Sequence, residues 1–172
     1  MGNEEKTMSI AEAMIGEFSH ESVSTRKMLE RLPEDKFGWK PHEKSMTMGR
    51  LGAHLAEIPE WADTIVNNES FDMASGDYKP KEFSSKQELL DCFDKNVEDF
   101  KKALAGQPDE HLFKNWKLMQ GDKVAVDMMR AACLRGFILS HIVHHRGQLS
   151  VYLRENDVPL PAIYGPSADE SI

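Results

Sequence analysis

Residues 127–155 read DMMRAACLRGFILSHIVHHRGQLSVYLRE, and this stretch decides the fold that the sequence predicts. Its apolar residues recur at helical spacing, which predicts one long helix from about Asp127 to Glu155 that is strongly apolar on one side. Successive residues of a helix are rotated by about 100°, so His141 and His145 lie about 40° apart on that apolar side. The longest predicted helix therefore turns two histidines toward the protein core.

Three other stretches with helical periodicity precede this one, at residues 9–32, 45–67 and 84–105. Each begins at or near a serine or threonine that suits the first position of a helix. Pro59 lies inside the second stretch and removes a backbone hydrogen bond, so we expect a kink just after His54. The sequence thus predicts four helices, and the fold class expected is all-α.

The segment between the third and fourth helices does not follow the helical pattern. Residues 108–126 group apolar residues on either side of Gly121 and Asp122, which predicts either a short hairpin or an irregular turn with this pair at its corner. With 172 residues the chain is long enough for one complete hydrophobic core. We therefore expect a single domain spanning residues 1–172.

Composition narrows the possible partners and the cell compartment. The formal net charge of -8, from 29 acidic and 21 basic residues, would repel the phosphates of nucleic acids. No apolar run approaches the roughly 18 residues needed to span a bilayer. Neither nucleic acid nor membrane is expected as a partner. Cys92 and Cys133 lie far apart and form no CxxC pair, which fits the reduced thiols of a cytoplasmic protein.

A third histidine, His54, lies on the second predicted helix. The same rotation places it on the side of Ile58 and Ile65, so its ring also points inward. Two histidines at i and i+4 on one helix, with a third on a facing helix, can direct three ring nitrogens at one divalent ion. Such a site keeps open coordination positions, as catalytic zinc sites do, and imidazole also suits nickel, copper and iron.

The spacing also leaves interpretations without a metal open. An inward histidine is often a hydrogen-bonded core residue, and this applies to His54 taken singly. His144 falls on the flank of the apolar side and is set aside as a ligand. Gln148 lies one turn beyond His145, where it is either a partner that orients an imidazole ring or an ordinary interior amide.

With these residues in place, the chain resembles the DinB superfamily, the DinB/YfiT-like metalloenzymes, over nearly its whole length. The similarity is carried most specifically by residues 141–149, HIVHHRGQL, which run on into 151–154, VYLR. Further stretches are 18–44 (FSHESVSTRKMLERLPEDKFGWKPHEK), 52–61 (GAHLAEIPEW) and 163–167 (IYGPS).

The resemblance implies an up-down four-helix bundle with one long crossover, assembled as a homodimer. It also implies that one histidine of the second helix and an HxxxH pair on the last helix hold a divalent transition metal. Those positions are occupied here by His54, His141 and His145. Zinc and nickel are the ions expected.

Relatives in this superfamily include S-transferases that use bacillithiol or mycothiol. By this resemblance, the first functional hypothesis is a metal-dependent transferase that activates a low-molecular-weight thiol for attack on an electrophilic small molecule. Two alternatives stay open: a metal-dependent hydrolase, and a non-catalytic metal-binding stress protein. Glu57, one turn from His54, is the candidate base for hydrolysis, although rotation places it off the inward-facing side.

Overall fold

The computed structural model describes residues 7–171, and most of them are helical. In chain order the α-helices are α1 (Ile10–Glu30), α2 (Met48–Glu57), α3 (Trp61–Asn67), α4 (Lys86–Leu104), α5 (Asp109–Leu112), α6 (Arg130–Leu134) and α7 (His141–Arg154). Short 3-10 helices cover Glu34–Lys36 and Ile58–Glu60, and a π-helical segment, Arg135–Ser140, joins α6 to α7.

Side-chain caps set the beginnings of the three long N-terminal helical stretches. Ser9 and Glu12 form a capping box, in which each side chain accepts a hydrogen bond from the backbone N–H of the other. Thr47 caps α2 and Ser85 caps α4, each accepting from a backbone N–H three residues on. The predicted beginnings of these helices are therefore confirmed to within a few residues.

Pro59 interrupts the second helical stretch without ending it. Residues Ile58–Glu60 form a 3-10 turn between α2 and α3, at the position where the proline nitrogen cannot donate a hydrogen bond. The backbone N–H of Ile58 still donates to the carbonyl of His54. The α-helix therefore stays regular through Glu57 and changes to a 3-10 turn at Ile58, one turn after the histidine and somewhat later than the kink expected just after His54.

A small three-stranded sheet corrects the all-α expectation. Strands β1 (Ser70–Asp72), β2 (Asn115–Gln120) and β3 (Lys123–Met129) lie in the order β1-β2-β3, with β1 parallel and β3 antiparallel to β2. The hairpin predicted between helices three and four is present as β2 and β3, and Gly121 takes a positive φ of 59° at its corner. The fold is thus helix-rich with a sheet against it, which is more than a bundle of helices.

The last helical stretch begins later than predicted. Residues 127–129 belong to β3, where they pair with residues 115–117 of β2, so the helix begins at Arg130 instead of Asp127. The π-helical segment then inserts a wider turn directly before His141. Helical periodicity cannot detect either feature. The strand residues 127–129 are set by pairing with β2, and the π-helical segment continues the helical stretch without interrupting the apolar pattern.

One hydrophobic core lies between the helices and the inner side of the sheet. Phe18 of α1 and Phe100 of α4 stack with ring centroids 3.9 Å apart, and Trp116 of β2 is fully buried. Burial of such large side chains contributes about 2 to 3 kcal/mol each. Within residues 7–171, no helix is long and apolar enough to cross a membrane.

A buried ion pair holds α7 against α1 and against the C-terminal tail. Arg146 is almost fully buried and lies 2.7 Å from the carboxylate of Glu21, with a further hydrogen bond to Thr25 at 3.2 Å. Tyr164 of the tail donates to the same carboxylate at 2.7 Å and also contacts the guanidinium. Three separate segments of the chain therefore meet at one buried charge.

Substitution of Glu21 should destabilise the protein far more than substitution of Glu30, although both lie on α1. Glu21→Gln leaves Arg146 buried without a counter-charge, and we expect the free energy of unfolding to fall by about 3 kcal/mol. Glu30 pairs with Arg26 at the surface, so Glu30→Gln should cost at most about 1 kcal/mol. Denaturant unfolding at pH 7 measures both values, and equal losses would contradict this account.

The stabilisation by Glu21 should also depend on pH. Burial raises the pKa of Glu21, but hydrogen bonds from Tyr164 and Arg146 outweigh it and leave the pKa below its ordinary value. Because the folded pKa is lower than the unfolded one, the stabilisation is fully present above the unfolded pKa and is lost as the pH falls through the folded pKa. The stability difference between the parent and Glu21→Gln should therefore shrink below about pH 4.

Candidate metal centre

Three imidazole rings from α2 and α7 converge on one point. His54 lies in the last turn of α2. His141 is the first residue of α7 and His145 lies one turn further on, so the contact between these helices brings the rings together. Nε2 of His141 lies 3.3 Å from Nε2 of His54 and 2.8 Å from Nε2 of His145. The candidate ligand atoms of all three lie within 4.8 Å of one another.

Hydrogen bonds on the far side of two rings determine which nitrogen carries the proton. Nδ1 of His145 lies 2.7 Å from the side-chain oxygen of Gln148, and Nδ1 of His141 lies 3.2 Å from the carbonyl oxygen of Phe137. An oxygen acceptor at Nδ1 fixes the proton there and leaves Nε2 with a free lone pair. Both Nε2 lone pairs are therefore available on the side where the rings meet.

One of these acceptors belongs to the π-helical segment. Phe137 lies in that segment, one turn before His141, and its carbonyl oxygen faces Nδ1 of that ring. The backbone N–H of His141 donates to the carbonyl of Ile138. π-Helical turns are often found at functional sites, and here the turn orients a candidate ligand.

His54 has a carboxylate on its far side. Glu57 is buried, and its carboxylate lies 3.9 Å from Nδ1 of His54, a charge-pair distance that is too long for a hydrogen bond. Arg50 donates to Glu57 at 2.8 Å, and the backbone N–H of Lys81 donates to its other oxygen. Burial raises the pKa of Glu57, but the neighbouring His54 and these donors outweigh it, so its pKa is lowered and the group stays ionised.

The arrangement suits a cation better than it suits protons. Burial, together with the charge of His54, lowers the pKa of His141, and burial lowers the pKa of His145 to about 4. At neutral pH these two rings are therefore neutral, and their Nε2 lone pairs face each other at 2.8 Å. Tetrahedral zinc with Zn–N bonds of about 2.05 Å separates its nitrogens by roughly 3.3 Å, close to the spacing found here. The three residues thus fit a divalent transition-metal ion.

The other residues considered in the sequence analysis, His144, Gln148 and Glu57, each have a defined place around the cluster. His144 is exposed and stays outside the cluster, as its rotation predicts. Gln148 is also exposed, so it is not an interior amide, and its side-chain nitrogen lies 3.1 Å from Nε2 of His144. Glu57 is buried although rotation put it off the inward side, because Arg50 and Lys81 meet it there. The sequence could have indicated this contact, because residues three apart on a helix are neighbours and Glu57 lies three residues after His54.

An apolar cavity of about 230 Å³ opens beside two of the three histidines, His54 and His141. Its other walls are formed mainly by apolar and aromatic side chains. Open coordination positions on this side of the cluster would face that cavity. The site therefore combines a candidate ligand set with space for a small molecule.

Comparison with known proteins gives a consistent result. A model of the DinB family matches residues 1–171. The chain is 26% identical over 152 residues to the uncharacterized protein YrdA of Bacillus subtilis (strain 168), which covers 87% of this chain and 85% of that protein. In structure it is similar to a DinB-like protein from Bacillus cereus, with a TM-score of 0.70, 22% identity and coverage of 89% of this chain and 97% of the other.

A second solved structure, the DinB-like protein YjoA from Bacillus subtilis, is similar with a TM-score of 0.67 and 22% identity. The match covers 87% of this chain and 96% of that one. At this identity the two structures support the fold, including the helices that position the histidines.

Removal of one histidine should abolish tight metal binding. His141 supplies the nitrogen that lies close to both other rings, so we expect the His141→Ala variant to lose stoichiometric zinc and the parent to retain one ion per chain. His144→Ala, three residues along the same helix, is the matched control and should bind as the parent does. Elemental analysis after dialysis measures both, and stoichiometric zinc in His141→Ala would rule out this centre.

Gln148 should contribute to metal affinity through His145. Gln148→Leu removes the acceptor at Nδ1, which frees the ring to rotate and to move its proton, and we expect zinc affinity to fall by about 10- to 100-fold. Gln87→Leu, at an exposed glutamine of α4, is the control. Competition with a chelating dye measures the affinities. An unchanged affinity in Gln148→Leu would show that the contact does not orient the ligand.

Proposed function

From the premise that this chain belongs to the DinB family, we propose that it is a metal-dependent transferase that joins a low-molecular-weight thiol to an electrophilic small molecule. The observation that carries the proposal is the convergence of three Nε2 atoms beside an apolar cavity. His54, His141 and His145 would hold one zinc or nickel ion, and the open coordination positions would receive the thiol sulfur.

The chemistry divides between the ion and the protein. A divalent ion supplies the positive charge that keeps a thiol of pKa about 8.5 in its nucleophilic thiolate form at neutral pH. The three imidazoles would hold the ion with coordination positions left open, Gln148 and the Phe137 carbonyl keep two of the rings in the tautomer that binds, and the apolar cavity lies beside the open positions. The thiolate sulfur then forms a bond to an electrophilic carbon, the leaving group departs with its electron pair, and the thiol proton passes to solvent.

The protein's own cysteines are poor nucleophiles, which supports an external thiol. Cys133 is fully buried, and burial raises its pKa. Cys92 is half-buried beside Asn96, and burial raises its pKa as well. Both thiols are therefore protonated at neutral pH, and among the described residues neither one joins the histidine cluster.

Hydrolysis with Glu57 as the base is less well supported. The carboxylate lies on the Nδ1 side of His54, whereas the rings converge on the Nε2 side. It is also held by Arg50 and by the backbone of Lys81. A general base must reach the attacking water, and Glu57 faces away from the place where that water would be.

Zinc- or nickel-loaded protein should accelerate the reaction of a thiol with 1-chloro-2,4-dinitrobenzene, with one chloride released for each thioether formed. We expect His145→Ala to lose at least about 100-fold in rate, because a missing ligand removes the ion that activates the thiol. Cysteine, glutathione and bacillithiol are tested in parallel, and absorbance of the thioether measures the rate.

Cys92→Ser and Cys133→Ala are the controls and should keep the parental rate. Activity in His145→Ala equal to that of the parent would contradict the proposal. Turnover of esters without any thiol, with no thiol conjugation, would favour the hydrolase alternative instead. A chelated protein that melts at a much lower temperature, and a loaded protein with neither activity, would favour a structural ion.

A further inference from the structure

The cavity beside His54 and His141 is lined mainly by apolar and aromatic side chains. Its volume is about 230 Å³, and the residues that line it are His54, Ile58, Trp61, Met73, Tyr78, Trp116, Leu118, Phe137 and His141. Among these described residues there is no Asp, Glu, Lys or Arg. Without an ion at the histidines, a charged group placed there would lose its hydration without gaining an ionic partner in the lining, which is strongly unfavourable.

Four aromatic rings form much of the wall. Trp61 and Tyr78 are in contact with ring centroids 5.7 Å apart, and Trp116 and Phe137 lie edge to face at 6.3 Å. Aromatic walls favour flat ligands, because a ring can stack or meet them edge to face. A cavity of about 150 Å³ is enough to bind benzene in another protein, so this one has room for a substituted ring.

A separate cavity of about 260 Å³ shares Trp61 and Tyr78 with this one but has a different character. Its lining includes Glu57, Glu60 and Lys81, and also Asp77 and Lys79. Charged groups of a ligand would find partners there and not beside the histidines. The two shared aromatic residues thus mark a change from an apolar to a charged environment.

We infer that the electrophile is an uncharged, flat, aromatic molecule of about one substituted ring, and that it binds in the apolar cavity beside His54 and His141. This inference rests on the proposed function, which it extends by naming the class of the second substrate. The reacting carbon would lie at the histidine end, and the ring would lie between the aromatic walls. The cavity selects by charge and shape, and the ligand set selects the thiol.

Two ring compounds of similar size test the charge selection. 4-Nitrotoluene is uncharged and 4-nitrobenzoate is anionic, and both quench tryptophan fluorescence on contact, here of Trp61 and Trp116. Binding is measured by this quenching and by calorimetry, on chelated and on zinc-loaded protein. We expect 4-nitrotoluene to bind at least tenfold more tightly than 4-nitrobenzoate in the chelated protein. Equal or tighter binding of 4-nitrobenzoate to the chelated protein would overturn the inference.

Two variants locate the binding site. Met73 lines the cavity at its exposed edge, and Met73→Glu introduces a charge there that should weaken 4-nitrotoluene binding by tenfold or more. Met129, similarly exposed on β3 but outside the lining, is the matched position, and Met129→Glu should leave binding unchanged. Unchanged binding in Met73→Glu, or equal weakening in both variants, would overturn the inference.

The outcomes separate this inference from the proposed function. Protein that binds 4-nitrotoluene as expected but conjugates no thiol would contradict only the transferase proposal. Protein that conjugates thiols but prefers the charged ring would contradict only the assignment of the cavity.

Discussion

The rotation of α7 about its own axis is fixed by two buried polar residues that follow each other in the chain. His145 faces His54 on α2, with ring centroids 4.6 Å apart, whereas Arg146 faces Glu21 on α1. A buried guanidinium that loses its acceptors is strongly destabilising, so α7 cannot turn away from either neighbour without a large cost. The ion pair that holds the fold together therefore also holds the imidazole of His145 in place.

The π-helical segment and the sheet add contacts around the histidines that the regular helices do not supply. Phe137 lies in the π-helical segment before His141, where its carbonyl oxygen lies 3.2 Å from Nδ1 of that imidazole and its ring lines the cavity. The sheet contributes a strand, β2, whose residues Trp116 and Leu118 line the same cavity beside the histidines. A bundle of helices alone would present a ligand set to solvent, whereas this chain encloses it on one side with aromatic rings.

Local sequence patterns predict the helices and the inward direction of His54, His141 and His145. A helix that buries one side carries apolar residues at the helical repeat, and this spacing can be seen in the sequence. Strand β1 leaves no such signal, since its three residues are ordered by pairing with β2, where Phe71 lies opposite Leu118. The π-helical turn is likewise invisible to an assumed rotation of 100° per residue. The acceptors that fix the ring tautomers depend on three-dimensional packing, and only Gln148, one turn from His145, could be predicted.

The charge balance around the histidines connects the ligand set with the proposed chemistry. The three imidazoles bring no negative charge to a divalent ion, and the carboxylate beside His54, that of Glu57, is already offset by Arg50. The site would therefore retain an excess positive charge beside an apolar cavity, where solvent screens it poorly. An anionic fourth ligand relieves that excess, whereas a neutral one does not. Near neutral pH a thiolate or a metal-bound hydroxide can serve as that ligand. Three imidazoles without a carboxylate or cysteine among the described residues of the cluster therefore fit an open site better than a closed, structural ion.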